Sequence, residues 1–207
     1  MKLFSKLICD IKKFKKINLI LSGGKSPLGH YKILFKQKLN WDNINLYLLD
    51  DRLVKLDNKN SNYFNINKIL VQNNIYNKIQ PINKIYLNSN KINSLAKYLK
   101  NSATIAILGM GNDGHYGSIF VESSKYDLLT DISKSPKFYR TEPIGSPRVS
   151  RVTMNLSMIL LSLKIYLILN TRKKINLFKK AKIFKNTKRY SICSLIKYSN
   201  KIAIIKN

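Results

Sequence analysis

His115, one of the chain's two histidines, closes the segment Gly109-Met110-Gly111-Asn112-Asp113-Gly114 and stands two residues from Asp113. Imidazole is the side chain best matched to proton transfer near neutral pH. A histidine in such a glycine-dense loop is a candidate general base, and a purely structural histidine is the bland alternative. Ser22-Gly23-Gly24-Lys25-Ser26-Pro27 suggests a different chemistry. Two glycines between an apolar run and a helix start let backbone N–H groups approach an anion, and the helix dipole favours negative charge there. The hydroxyls of Ser22 and Ser26 and the Lys25 ammonium add donors, so the segment is in physical terms a phosphate cradle. Its bland alternative is a tight turn with a helix cap. Asp50-Asp51-Arg52 offers a planar guanidinium suited to phosphate or carboxylate, beside carboxylates able to orient an imidazole or an arginine. A solvated charge cluster competes with that reading.

Two nucleotide motifs are approached and rejected. Gly24-Lys25-Ser26 matches the end of a P-loop, but Leu19 occupies the place of its first glycine and Pro27 interrupts the usual continuation. Gly109 to Gly114 satisfies G-x-G-x-x-G, and Asp131 lies near the spacing of a ribose-binding acid. No clear helix and second strand fill the interval, however, and His115 follows the last glycine directly. No zinc or magnesium ligand cluster is visible, and Cys9 and Cys193 lie far apart without a paired Cys or His. Neither a metal, another cofactor nor a disulfide is expected.

The elements that must position these residues show in the hydrophobic pattern. Ile17–Leu21, Ile44–Leu49, Thr104–Leu108 and Ile165–Leu169 are short apolar runs that suit buried strands. Helices are expected after Ser26, with Pro27 in the first turn and an apolar stripe of Leu28, Tyr31, Ile33, Leu34 and Phe35. Further helices are expected over about Tyr63–Val71, Lys91–Lys100, near Met158, and over a basic Lys173–Phe184. The stretch between Gly109 and Arg151 reads as irregular, and Asp50-Asp51-Arg52 as the close of the second strand. Strand, loop and helix in repeated order imply a single α/β domain over residues 1–207, with a mostly parallel, Rossmann-like sheet covered by helices on both faces. In such sheets ligands bind beyond the carboxyl ends of the strands. The three polar loops should therefore converge.

The composition is globular: 44% of the 207 residues are hydrophobic and 10% aromatic. The longest apolar stretches, split by Lys164, fall short of a membrane span, and Met1–Lys16 lacks the pattern of a signal peptide. A cytoplasmic protein without membrane attachment, monomeric or a small homo-oligomer, is expected. The net charge of +28 invites a nucleic-acid reading. The lysines nevertheless run from Lys2 to Lys206, interleaved with Asn and Ile in every segment. Phosphate affinity needs charge gathered on one face; a uniform enrichment of this kind is compositional, and no specific nucleic-acid partner is expected.

Taken together, the segments resemble the 6-phosphogluconolactonases, which belong with the glucosamine-6-phosphate isomerase/deaminases. The matching pieces are Ser22-Gly23-Gly24-Lys25-Ser26-Pro27, Asp50-Asp51-Arg52, Ser61-Asn62-Tyr63, Leu108 to His115, Ser118-Ile119-Phe120, Arg151-Val152-Thr153 and Lys174. The arginine of Asp-Asp-Arg resembles the lactonase branch, since the deaminases usually carry an aromatic there. Tyr116 and Gly117 stand where the lactonases usually have Thr and Ala, Val121 replaces a usual proline, and Thr171 replaces a glycine. The resemblance implies a sugar-phosphate-isomerase-like fold and hydrolysis of 6-phosphogluconolactone, a small sugar phosphate, in the oxidative pentose phosphate pathway. It assigns His115, Asp50 and Arg52 to catalysis, with Asp50 orienting the imidazole. It assigns Ser22, Gly23, Gly24, Lys25, Ser26, Gly111, Asp113, Gly114, Arg151 and Lys174 to substrate and phosphate binding. The rival activities are glucosamine-6-phosphate isomerisation or deamination, a basic nucleic-acid-binding module, and a decayed enzyme that keeps the fold.

Overall fold

Strand β1 (Ile17–Leu21) is buried at every residue, as expected of a strand covered on both faces. It pairs in parallel with β2 (Ile44–Leu48) on one side and β4 (Thr104–Gly109) on the other. β7 (Lys164–Leu169) and β8 (Ile202–Lys206) extend the sheet, also in parallel, to the order β2-β1-β4-β7-β8. The computed structural model that establishes this architecture describes residues 2–76, 78–82 and 88–206. Burial of the Leu and Ile side chains of β1, β4 and β7 stabilises the sheet by about 1.5–3 kcal/mol each. Asn18, fully inside β1, is accommodated by a polar ladder: it donates to Thr104 Oγ1 at 3.2 Å and accepts from Asn45 Nδ2 at 3.0 Å.

Helices α1 (Lys2–Lys12), α2 (Lys25–Leu34), α3 (Asn62–Val71), α4 (Ser89–Lys100) and α7 (Arg172–Phe184) flank the sheet. The stripe foreseen on α2 is realised by Tyr31, Leu34 and Phe35, whereas Ile33 is exposed. His30 is buried, with its ring against Phe4 and its Nδ1 on the Ser26 carbonyl at 3.1 Å, which gives it a structural role. Among the described residues no helix is long and apolar enough to cross a membrane.

Two expectations are corrected. Asp50–Arg52 does not close β2; it forms its own strand, β3, in a second sheet with β5 (Phe138–Ile144) and β6 (Val149–Met154), in the order β3-β6-β5. The stretch taken as irregular contains a short helix, α5 (Tyr126–Thr130), and the strand β5 (Phe138–Ile144), which pairs antiparallel with β6 (Val149–Met154). A short helix, α6 (Leu156–Ile159), follows, and α8 (Ile192–Ile196) precedes β8. The antiparallel sheet is bound to the parallel one at the point where they diverge: Leu49 donates its N–H to the Leu21 carbonyl and accepts from Met154 N, both at 2.9 Å.

Candidate active site

The sheet order reverses between β1 and β4: the chain leaves β1 outward to β2, then returns across β1 to build β4, β7 and β8. The carboxyl ends of β1 and β4 therefore flank a crevice, the usual ligand position in such sheets. They are stitched together by Gly109 N–H donating to Ser22 Oγ at 2.8 Å and by Ser22 N–H donating to the Ile107 carbonyl at 3.0 Å.

Beyond β1, Gly24 forms the N-cap of α2 with φ of +99°, a conformation that strains any residue carrying a Cβ. No described side chain caps this helix, so its first-turn N–H groups are left for an anion. Ser26 donates its hydroxyl to Asn170 Oδ1 and accepts from Lys174 Nζ, both at 2.7 Å. Lys174 reaches it from the first turn of α7, which Thr171 caps. Burial lowers the pKa of Lys174, the more distant Asp113 charge opposing, and among the described residues no carboxylate forms an ion pair with it. The side chain of Lys25 lies outside the described residues.

Beyond β4 the chain does not enter a helix, as a dinucleotide site would require; it folds back, with Gly111 N–H on the His115 carbonyl at 2.8 Å and Gly114 N–H on the Gly111 carbonyl at 3.2 Å. This turn lays the imidazole against Gly111, where a Cβ would overlap both the ring and Asp113 Oδ1. His115 Nδ1 meets Asp113 Oδ1 at 2.6 Å, and the same oxygen accepts the His115 N–H at 3.2 Å. A carboxylate on Nδ1 fixes the tautomer with Nδ1 protonated, which leaves Nε2 free as an acceptor. Partial burial would raise the Asp113 carboxyl, but the His115 ring bond and charge outweigh it and hold the pKa down to about 2. The Phe120 ring lies 4.2 Å from the imidazole and supports its other side.

The third wall comes from the antiparallel sheet. Arg52 on β3 stands in register opposite Arg151 on β6. Arg151 is buried; its Nε donates to the Ile144 carbonyl at 3.1 Å, its Nη2 donates to the Pro147 carbonyl at 2.9 Å, and its guanidinium lies over Phe120. Burial first, and then the neighbouring Arg52 charge, lower its pKa. Arg52 Nη1 donates to Asn62 Oδ1, and its buried Nε has no partner among the described residues. The two carboxylates beside it are used differently. Asp51 clamps the start of α3, accepting from the backbone N–H groups of Arg52, Asn62 and Tyr63 and from the Ser61 hydroxyl. Asp50 accepts from the Ser118 hydroxyl at 2.6 Å and from Asn62 Nδ2 at 3.3 Å.

These walls enclose a cleft of about 330 Å³. Of the residues singled out from the sequence, Ser22, Gly23, Gly24, Ser26, Asp50, Arg52, Gly111, His115, Arg151 and Lys174 all line it. Asp113 and Gly114 do not. Asp113 serves the imidazole from behind, and Gly114 packs on Leu177 and Tyr190 while its carbonyl accepts from Ile192 N and Ser191 Oγ. The expectation that Asp50 orients the imidazole is corrected by the same geometry, since the carboxylate on Nδ1 belongs to Asp113. Asn62, Asn112 and Ser146 also line the cleft and were not among the expected site residues. Asn62 could have been found from its place next to the helix-capping Ser61. Ser146 sits in the connection between β5 and β6, and without the hairpin nothing in the sequence points to it. Among the described residues no grouping of His, Cys, Asp and Glu could hold a metal ion.

Among the described residues, backbone amides, serine hydroxyls and Lys174 thus face an imidazole and two guanidiniums across the switch-point crevice. The chain belongs to the family described as glucosamine-6-phosphate isomerases/6-phosphogluconolactonase, whose pattern it matches over residues 2–202. A 6-phosphogluconolactonase of Thermotoga maritima is 37% identical over 170 residues, covering 78% of this chain and 72% of that protein. One from Helicobacter pylori is 29% identical over 174 residues, covering 83% and 74%. The crystal structure of a 6-phosphogluconolactonase from Shewanella baltica superposes with a TM-score of 0.82 at 25% identity, over 99% of this chain and 91% of that one.

Proposed function

We propose that the chain hydrolyses 6-phospho-D-glucono-1,5-lactone to 6-phospho-D-gluconate, the second step of the oxidative pentose phosphate pathway. The observation that supports this reading most is the meeting in one cleft of an Asp-backed imidazole with a lysine-assisted anion cradle. The 6-phosphate sits on the amides of Gly23 and Gly24, on Ser22 and Ser26, and on Lys174. Anchoring this remote group holds the lactone carbonyl near His115, so binding energy becomes orientation. His115 Nε2 takes a proton from water as the water oxygen bonds to C1. The tetrahedral oxyanion faces Arg52, with Arg151 behind it. When the bond from C1 to the ring oxygen breaks, the imidazolium returns its proton to that oxygen, giving the open hydroxy acid. Asp113 stabilises the transient imidazolium.

The test is turnover of freshly generated lactone with spontaneous hydrolysis subtracted. Catalysed hydrolysis is expected. A rate equal to the uncatalysed one would refute the reading, and ammonia release from glucosamine 6-phosphate would move the chain to the isomerase/deaminase branch.

A further inference from the structure

We propose that Asn62 is a positioning residue for Arg52: its amide keeps the guanidinium apart from the Asp50 carboxylate, so that the arginine holds its charge and its direction for the reacting substrate. The proposal rests on the lactonase reading above and extends it to a residue outside the reacting set.

Arg52 follows two buried carboxylates, Asp50 and Asp51, in the chain. An arginine so placed ordinarily pairs with a carboxylate, often in the bidentate manner, and its charge is neutralised. Among the described residues Arg52 forms no ion pair. The reason is visible atom by atom. The two oxygens of Asp51 are taken up by three backbone N–H groups and the Ser61 hydroxyl. The Asp50 carboxylate is taken up by Ser118 Oγ and by Asn62 Nδ2, which also donates to the Asp50 carbonyl at 2.8 Å. The opposite end of the same amide, Asn62 Oδ1, accepts from Arg52 Nη1.

One neutral side chain thus answers a carboxylate with its donor and a guanidinium with its acceptor. Two acceptors on one side and a cation on the other allow only this orientation of the amide. Asn62 is itself buried and lies against Gly23, where a Cβ would overlap it, so it also ties the arginine wall to the cradle. Arg52 is left with a fixed fork and a buried Nε–H that no group among the described residues accepts. Aspartate at this position would be nearly isosteric but would present a carboxylate to the guanidinium and nothing to donate to Asp50.

The experiment is a double-mutant cycle on kcat and KM for the lactone, using wild type, Asn62→Asp, Arg52→Ala and the double variant, with thermal melting as a check on folding. Asn62→Asp is expected to lower kcat about ten- to hundredfold with little change in KM, as expected when a charge used in the transition state is neutralised or misdirected. In the Arg52→Ala background the same change should cost no more than about twofold, because coupled residues do not add. Asn62→Ala takes its place in the cycle if Asn62→Asp does not fold, and Asn62→Ser, which keeps a hydroxyl acceptor, should recover part of the loss. Equal losses in the two backgrounds, with wild-type turnover intact, would overturn the role of Asn62 and leave the lactonase reading standing. Absent wild-type turnover refutes the reading on which both rest.

Discussion

The two basic walls of the cleft acquire their positive character in opposite ways. The cradle wall consists of helix N–H groups, two serine hydroxyls and Lys174, with no ion-paired carboxylate among the described residues and with its position set by the ends of β1 and β7. The arginine wall consists of two guanidiniums in register on an antiparallel pair, tied to carbonyls, to an amide and, through that amide, to a buried carboxylate. Dipoles and a lysine held only by a serine hydroxyl suit an anion whose charge is the same before and after reaction, such as a phosphate monoester. A fixed, partly desolvated guanidinium suits charge that appears only as bonds change, because its orientation is settled before the reaction begins. The cradle should therefore govern binding and the arginine wall turnover.

The histidine between the walls gives the largest effect. His115→Ala should reduce kcat by about 10²- to 10⁴-fold, as loss of a general base does, while calorimetric affinity for 6-phosphogluconate stays within about threefold, the cradle being intact. Unchanged turnover would remove His115 from the chemistry. A steric change should break the site nearly as well. Gly111→Ala forces the imidazole and Asp113 away from the position that an added Cβ would fill, and displacement of about an ångström can cost on the order of 10²-fold in rate. A crystal structure of that variant with the ring unmoved, or full activity, would contradict the role given to this glycine.

The division of labour between the walls is sharpened by a pair of smaller effects. Lys174→Ala removes a charged hydrogen-bond donor worth about 1.5–3 kcal/mol, so KM should rise roughly ten- to hundredfold with kcat changed little. Arg52→Ala should show the reverse split, a fall in kcat at nearly constant KM. If both variants altered the same parameter, the contrast between the walls would be wrong.

The legibility of these regions from sequence differed for physical reasons. β1, β4 and β7 were evident because a parallel strand buried on both faces is a nearly continuous apolar run, as in Ile165 to Leu169, and β2 because Ile44, Leu46 and Leu48 alternate inward. Glycine-dense loops at their ends marked the cradle and the histidine. β5 was hidden because Phe138 to Ile144 carries Arg140, Glu142 and Pro143 and buries only Phe138 and Thr141. β3 was hidden because Asp50-Asp51-Arg52 looks like a loop; its strand character comes from pairing with β6, far along the chain. The same blindness misplaced the partner of His115. The resemblance points to Asp50, whereas the local turn at Gly111 to His115 brings Asp113 onto Nδ1 through a contact only two residues long. Asn62 belonged to a recognisable motif, but its task depends on which atoms of Asp50 and Arg52 face it, and no spacing rule conveys that.

The smallest effect concerns pH and isolates Lys174 within the cradle. Burial lowers its pKa below the ordinary lysine value of 10.5, whereas an anion in the cradle favours the protonated form and raises it. Affinity that depends on the ammonium is complete below the pKa of the free enzyme and is lost as pH rises through it. Because that pKa is lowered, the loss should begin at a lower pH than an exposed lysine would give. The product is the right probe: it does not hydrolyse, and its phosphate, with a second pKa of about 6, and its carboxylate are already ionised at pH 8. Asp113, held down to about 2, contributes nothing in this range. Calorimetric titration of 6-phosphogluconate from pH 8 to 10 should show affinity declining in the wild type, a flatter profile in Lys174→Arg, whose charge persists, and a weak, flat profile in Lys174→Ala. A decline of equal steepness in all three would assign the titration to another group and remove Lys174 from the phosphate site.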